Sequence, residues 1–161
     1  MKSKLAMGLV LASILILSVG LMGCVGDMIG TGGGFLEECE GKVSFGFNFH
    51  AAGSSSDYDV KGEFQLVDHG EKPPLRIHGT FEEVDSLYIP LVGFQYVAKG
   101  LCTIKHPGGV YGPTSFCLYA YDAGEPGIDD DFVWIKLSIP GPDIVYSGKL
   151  DGGNIQIHEK K

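Results

Sequence analysis

From residue 43 onward, large apolar and polar side chains alternate with a period of two. Val43, Phe45, Phe47 and Phe49 interleave with Lys42, Ser44, Asn48 and His50 around Gly46. A period of two sends successive side chains to opposite faces of an extended chain, whereas a helix repeats every 3.6 residues. The stretch therefore reads as a half-buried strand. Strand-like runs follow at 60–67, 75–80, 84–89, 94–105, 115–121, 132–139, 144–150 and 155–158. Turn chemistry separates them: Asp68-His69-Gly70, Pro73-Pro74, His106-Pro107-Gly108-Gly109, Gly124-Glu125-Pro126-Gly127, Pro140-Gly141-Pro142 and Asp151-Gly152-Gly153. Short strands at regular spacing predict an all-β fold, a single antiparallel β-barrel or β-sandwich of about eight to ten strands. The last strand, 154–158, is expected to pair near the first. No stretch after Met22 joins helical periodicity to a capping signal, so little or no helix is expected there.

Composition agrees with this reading. A chain of 161 residues is one ordinary domain at most. Its 25 glycines, with no Gly-X-Y period, exclude collagen and fit turn-rich antiparallel structure. With 20 acidic against 12 basic residues the net charge is −8, which argues against nucleic acid as a partner, because such binding needs Lys and Arg to neutralise phosphates.

The N-terminus carries a different signal. Lys2 and Lys4 precede a weakly polar to apolar run over 5–22, the charged start and hydrophobic body of an export signal. The run ends in Leu21-Met22-Gly23-Cys24, which resembles the lipobox of prokaryotic lipoproteins, where a small residue precedes a cysteine that receives lipid. The expected organisation is a signal peptide over 1–23, a lipidated Cys24 opening a glycine-rich tether over 24–34, and a β domain over 35–161. The alternative is an uncleaved anchor, since 5–22 is just long enough to cross a bilayer as a helix. Either reading puts the remainder outside the cytoplasm at a membrane, with Lys2 and Lys4 inside. Cleavage before Cys24 removes two lysines and no acid, leaving a net charge of −10.

Thr31-Gly32-Gly33-Gly34-Phe35, the run 41–48 and the closing run 152–158 resemble the opening and closing signatures of the post-COAP domain, a β domain of exported prokaryotic proteins. Between them 64–70, Ile77-His78-Gly79-Thr80, 122–127 and Val145-Tyr146 stand in that family's order, so the resemblance covers 31–158. It implies an all-β domain, usually at the end of secreted multidomain chains, with no established enzymatic activity. This chain departs from the pattern: the domain stands alone behind its anchor, Cys39, Cys102 and Cys117 are additional, and 131–137 matches imperfectly.

Candidate chemistry is sparse. Asp122, Glu125, Asp129, Asp130 and Asp131 crowd one inter-strand loop beside Gly124 and Gly127. Oxygen ligands on a glycine-bent loop suit calcium, and Asp122, Glu125, Asp129 and Asp131 are the candidate ligands. The spacing is not that of an EF-hand, and a solvated acidic turn that discourages edge pairing accounts for the same residues. No other cofactor is expected. The five histidines form no zinc-like spacing. With Cys24 lipidated, Cys39, Cys102 and Cys117 are disulfide candidates in an odd set. The hairpin pair Cys102 with Cys117 meets a parity conflict that a bulge over 107–113 would repair, and Cys39 with either stands level with it. Tyr88, Tyr96, Tyr111, Tyr119, Tyr121 and Trp134 lie on or near strands, mostly as core, while any that face outward form a platform for a sugar or a protein. The expected function is a non-catalytic, membrane-tethered extracytoplasmic domain for binding or envelope attachment, to an envelope protein or a glycan. The alternatives are a carbohydrate-active or hydrolytic accessory using the 122–131 loop and a small carrier of apolar ligands.

Overall fold

The computed structural model describes residues 27–38, 41–54, 57–89, 93–124 and 130–159. Nine strands form one antiparallel sheet: β1 (Met28–Glu38), β2 (Gly41–Ser54), β3 (Asp57–Asp68), β4 (Leu75–Ile89), β5 (Gly93–His106), β6 (Gly109–Asp122), β7 (Phe132–Leu137), β8 (Ile144–Lys149) and β9 (Gly152–Glu159). Their spatial order is β8-β7-β6-β5-β4-β3-β2-β1-β9. The sheet curls into a half-barrel, so the all-β, barrel-like expectation is met. No helix occurs among the described residues. The expected signal or anchor helix, with Cys24, lies outside them, as do Cys39, Glu125 and Asp129.

Two expected boundaries are corrected. The runs 75–80 and 84–89 are one strand, β4, carrying an irregularity between Phe81 and Glu83 that keeps both halves paired with β5. Residues 28–34, expected within the tether, are the first part of β1, which lies between β2 and β9. The expected neighbours at the chain ends are thus separated by one inserted strand.

β1 was disguised because its inner positions are glycine. Gly30, Gly32 and Gly34 pair with Phe49, Phe47 and Phe45. A Cβ at Gly30 would collide with the Phe49 ring, and one at Gly32 with the Phe47 ring. The aromatic side chains of β2 lean across and fill the space their neighbour leaves bare. Phe45, Phe47 and Phe49 stack along β2 with centroids 6.4 and 6.5 Å apart. Tyr96 sits edge-on to Phe49 at 4.9 Å, and Phe64 stacks on Phe116 at 4.9 Å. Leu118, Val133, Ile135, Leu137, Ile155 and Ile157 are among the aliphatic side chains buried with them. The hollow of the curl is therefore filled with aromatic and aliphatic side chains.

Hydrogen bonds also tie each marginal strand to chain elsewhere in the curl. On β9 the backbone N–H groups of Ile155 and Ile157 donate to Asp131 Oδ2 (2.7 Å) and Asp122 Oδ2 (3.0 Å). At the β8–β9 turn, Asp151 N donates to Phe35 O (3.1 Å), and Asp151 Oδ2 accepts from Glu37 N (2.6 Å). Tyr146 of β8 donates its hydroxyl hydrogen to Asp68 Oδ2 at the end of β3 (3.0 Å).

Candidate functional site

The acidic loop turns out to be built into the fold at two of its residues. Asp131 is fully buried. Its Oδ1 accepts from Ala123 N (3.0 Å) while Oδ2 holds Ile155 N. Asp122 accepts from Gly124 N (2.9 Å) at Oδ1 and from Ile157 N at Oδ2. All four carboxylate oxygens thus accept backbone N–H groups, two of them on the margin of β9. A buried carboxylate is tolerable when such donors replace its water. Asp122 and Asp131 thus have a structural occupation of their own, while Glu125 and Asp129 lie outside the described residues. Among the described residues no group of three or more His, Cys, Asp or Glu is placed to hold a metal ion. Nearby, the Tyr96 hydroxyl is buried without a hydrogen-bond partner among the described residues, and burial, reinforced by Asp122 and Asp131, pushes its pKa well above the usual phenol value.

The cysteines separate as parity requires. Cys102 pairs with Thr114 and Cys117 with Lys99, so the two stand three positions apart along the β5–β6 ladder. Cys102 is buried in the core and Cys117 is half-buried on the other face, and both are free thiols. The expected bulge exists, between Cys102 and Ile104, but it lies on the turn side of both cysteines and leaves their relative parity unchanged. In place of the hairpin disulfide the structure has free thiols at Cys102 and Cys117, and Cys39, the other candidate partner, lies outside the described residues. Burial raises the Cys102 pKa to about 11. Burial also raises that of Cys117, opposed by the positive charges of Lys99 and Lys136.

Those two lysines border the most distinctive surface of the molecule. On β6, Phe116, Leu118 and Ala120 point into the core, so Cys117, Tyr119 and Tyr121 point out. On β7, Val133, Ile135 and Leu137 point in, leaving Phe132, Trp134 and Lys136 outside. Register then aligns three rows across β5, β6, β7 and β8. The first is Lys99, Cys117, Lys136 and Val145; the second Val97, Tyr119, Trp134 and Ser147; the third Gln95, Tyr121, Phe132 and Lys149. At the centre Tyr119, Tyr121, Phe132 and Trp134 form a two-by-two array, about 5 Å apart between strands and about 7 Å along them. Tyr119 meets Phe132 edge to face at 6.2 Å. All four rings are partly exposed. The Tyr119 hydroxyl has a pKa raised by partial burial and by Tyr121.

The structure thus divides the aromatic residues that the sequence singled out. Tyr96 is core, whereas Tyr119, Tyr121 and Trp134 are brought together on the outer face. Tyr111 is exposed near the tip of the β5–β6 hairpin, and the side chain of Tyr88 lies outside the described residues. Phe132 and Val97 are additions that sequence reading missed, although the alternation of Phe132 with Val133 carried the signal. Elsewhere the outer surface has two open depressions of about 510 and 460 Å³ over β1, β2 and β3. Ser44, Asn48, Glu63 and Gln65 line the first and Thr31, His50 and Lys61 the second, both outside the filled core. No family model, curated protein or solved structure matches this chain.

Proposed function

We propose that the chain is a non-catalytic extracytoplasmic binding domain, held to a membrane through Cys24, that engages a glycan through the outer face of β5–β8. The observation that carries this reading is the side-by-side array of Tyr119, Tyr121, Phe132 and Trp134 on the partly exposed outer face of the sheet. Sugar rings present a face of C–H bonds that stacks on aromatic rings, and Tyr and Trp add a polar rim for hydroxyl groups. Sheet-borne rings need little ordering on binding, since strands already hold them. The resemblance of 31–158 to post-COAP domains belongs to the same proposal, that of an exported β domain without enzymatic activity.

The competing readings draw less support. A hydrolase on the acidic loop needs free carboxylates, whereas Asp122 and Asp131 each accept backbone N–H groups at both oxygens. An apolar-ligand carrier needs a hollow interior, whereas Phe47, Phe49, Phe64, Tyr96 and Phe116 occupy it.

The test is co-sedimentation of the full-length protein, kept soluble in a non-glycosidic detergent, with a panel of insoluble and immobilised polysaccharides. Retention by at least one polymer is expected, with Trp134→Ala and Tyr119→Ala each weakening it at least tenfold, roughly the loss of one stacked ring. Unchanged far-ultraviolet circular dichroism shows that the variants fold. Retention that is indifferent to both substitutions, or absent from the whole panel, rejects the reading.

A further inference from the structure

The charges of this chain are not evenly spread. Acidic residues outnumber basic ones by 20 to 12 overall, yet strands β5 to β8 contain four lysines and a single carboxylate, Asp122. That one carboxylate is occupied with Gly124 N and Ile157 N. Three of the lysines frame the aromatic array: Lys99 and Lys136 on the row beside Tyr119 and Trp134, and Lys149 directly across from Phe132.

Their present partners are loosely held. Lys99 pairs with Glu83 at 3.2 Å, and Lys136 with Asp143 at 2.7 Å, both pairs being substantially solvent-exposed. Exposed pairs of this kind exchange readily for another anion. Lys149 is exposed and makes no ion pair among the described residues. A neutral polysaccharide has no use for this frame. A chain of uronic acid residues has one, because each stacked ring carries a carboxylate at its rim.

Resting on the glycan reading above, we infer that the ligand is an acidic polysaccharide, whose sugar rings stack on Tyr119, Trp134 and Phe132 while its carboxylates meet Lys99, Lys136 and Lys149. Lys99, Lys136 and Lys149 make this face complementary to such a polymer in a protein that is acidic overall.

The test uses the full-length protein in the same detergent and a matched pair of polymers, polygalacturonate and its methyl ester, which share a backbone and differ in charge. Polygalacturonate is expected to bind at least tenfold tighter than the ester in 50 mM salt, and to lose most of that advantage at 500 mM through screening. The double variant Lys136→Gln, Lys149→Gln should lose most of the preference for the acid over the ester, and an undiminished preference overturns the inference. Equal affinity of the parent for acid and ester overturns the inference and leaves the glycan reading standing. Polygalacturonate binding that survives Trp134→Ala overturns it too, because the attraction is then to charge elsewhere. Binding to neither polymer, with capture by phosphatidylglycerol vesicles instead, makes the face a membrane-docking surface and overturns both.

Discussion

Single residues here are constrained by what their neighbours across the sheet require. Gly30 is glycine because the Phe49 ring lies where its Cβ would be. Gly33, one face over, would place a Cβ 3.4 Å from Phe45 O, an ordinary contact. Gly30→Ala is therefore expected to destabilise the fold by about 1–3 kcal/mol through overpacking, against a change within about 0.5 kcal/mol for Gly33→Ala. Urea denaturation of the two variants measures the difference, and equal midpoints would contradict it. Cys102 makes a prediction about pH. Its folded pKa of about 11 stands above the unfolded value near 9, so its contribution is complete below pH 9 and lost as pH rises through 11. Tyr96 acts in the same sense above pH 10, its folded pKa also being raised. Stability should thus fall between pH 9 and 11 with a slope that Cys102→Ala makes shallower. Denaturation curves at half-unit pH steps check the sign.

At the scale of elements, the notable feature is how the final strand is held. β9 is a margin of the sheet, and an open margin exposes N–H and C=O groups to unwanted pairing. Asp131 and Asp122 cover two of its N–H groups and tie it to the chain flanking β6 and β7. Asp131→Ala leaves Ile155 N and Ala123 N without these acceptors, and a loss of about 2–4 kcal/mol is expected. Asp130 is exposed in the adjacent position, so Asp130→Ala should change stability by no more than about 0.5 kcal/mol. Hydrogen exchange at Ile155 and Ile157 should quicken in the first variant alone. The acidity that suggested a calcium loop is, at these two residues, the means of fastening a strand. Sequence could show the acids crowded together; it could not show that a strand ending some thirty residues later would present its donors to them.

For the whole molecule, the proposed anchor and binding face imply that the protein works at a surface. Cys24→Ser is expected to abolish lipid attachment, leaving the chain unprocessed or released, as membrane extraction and intact mass will report. Unchanged lipid mass rejects the lipoprotein reading. Much of the architecture was readable in advance. Alternation in 43–49, 115–121 and 132–137 is local, because each side chain's face follows from its own position along an extended chain. β1 was hidden because its inner face is made of glycine, and the apolar matter that fills it belongs to Phe45, Phe47 and Phe49 on another strand. Tyr119, Tyr121 and Trp134 were expected mostly as core, although parity with Phe116, Leu118 and Ala120 points the two tyrosines outward. Their union with Phe132 inside a frame of Lys99, Lys136 and Lys149 depends on register between strands. By itself, then, the sequence determined the β class, most strand positions and the inward or outward sense of each side chain, because these depend on neighbours within a few residues. Only the tertiary structure decided that the cysteines stand apart, that the aspartates bind β9 and that four rings share one face. Each of those depends on residues distant in the chain meeting across a ladder.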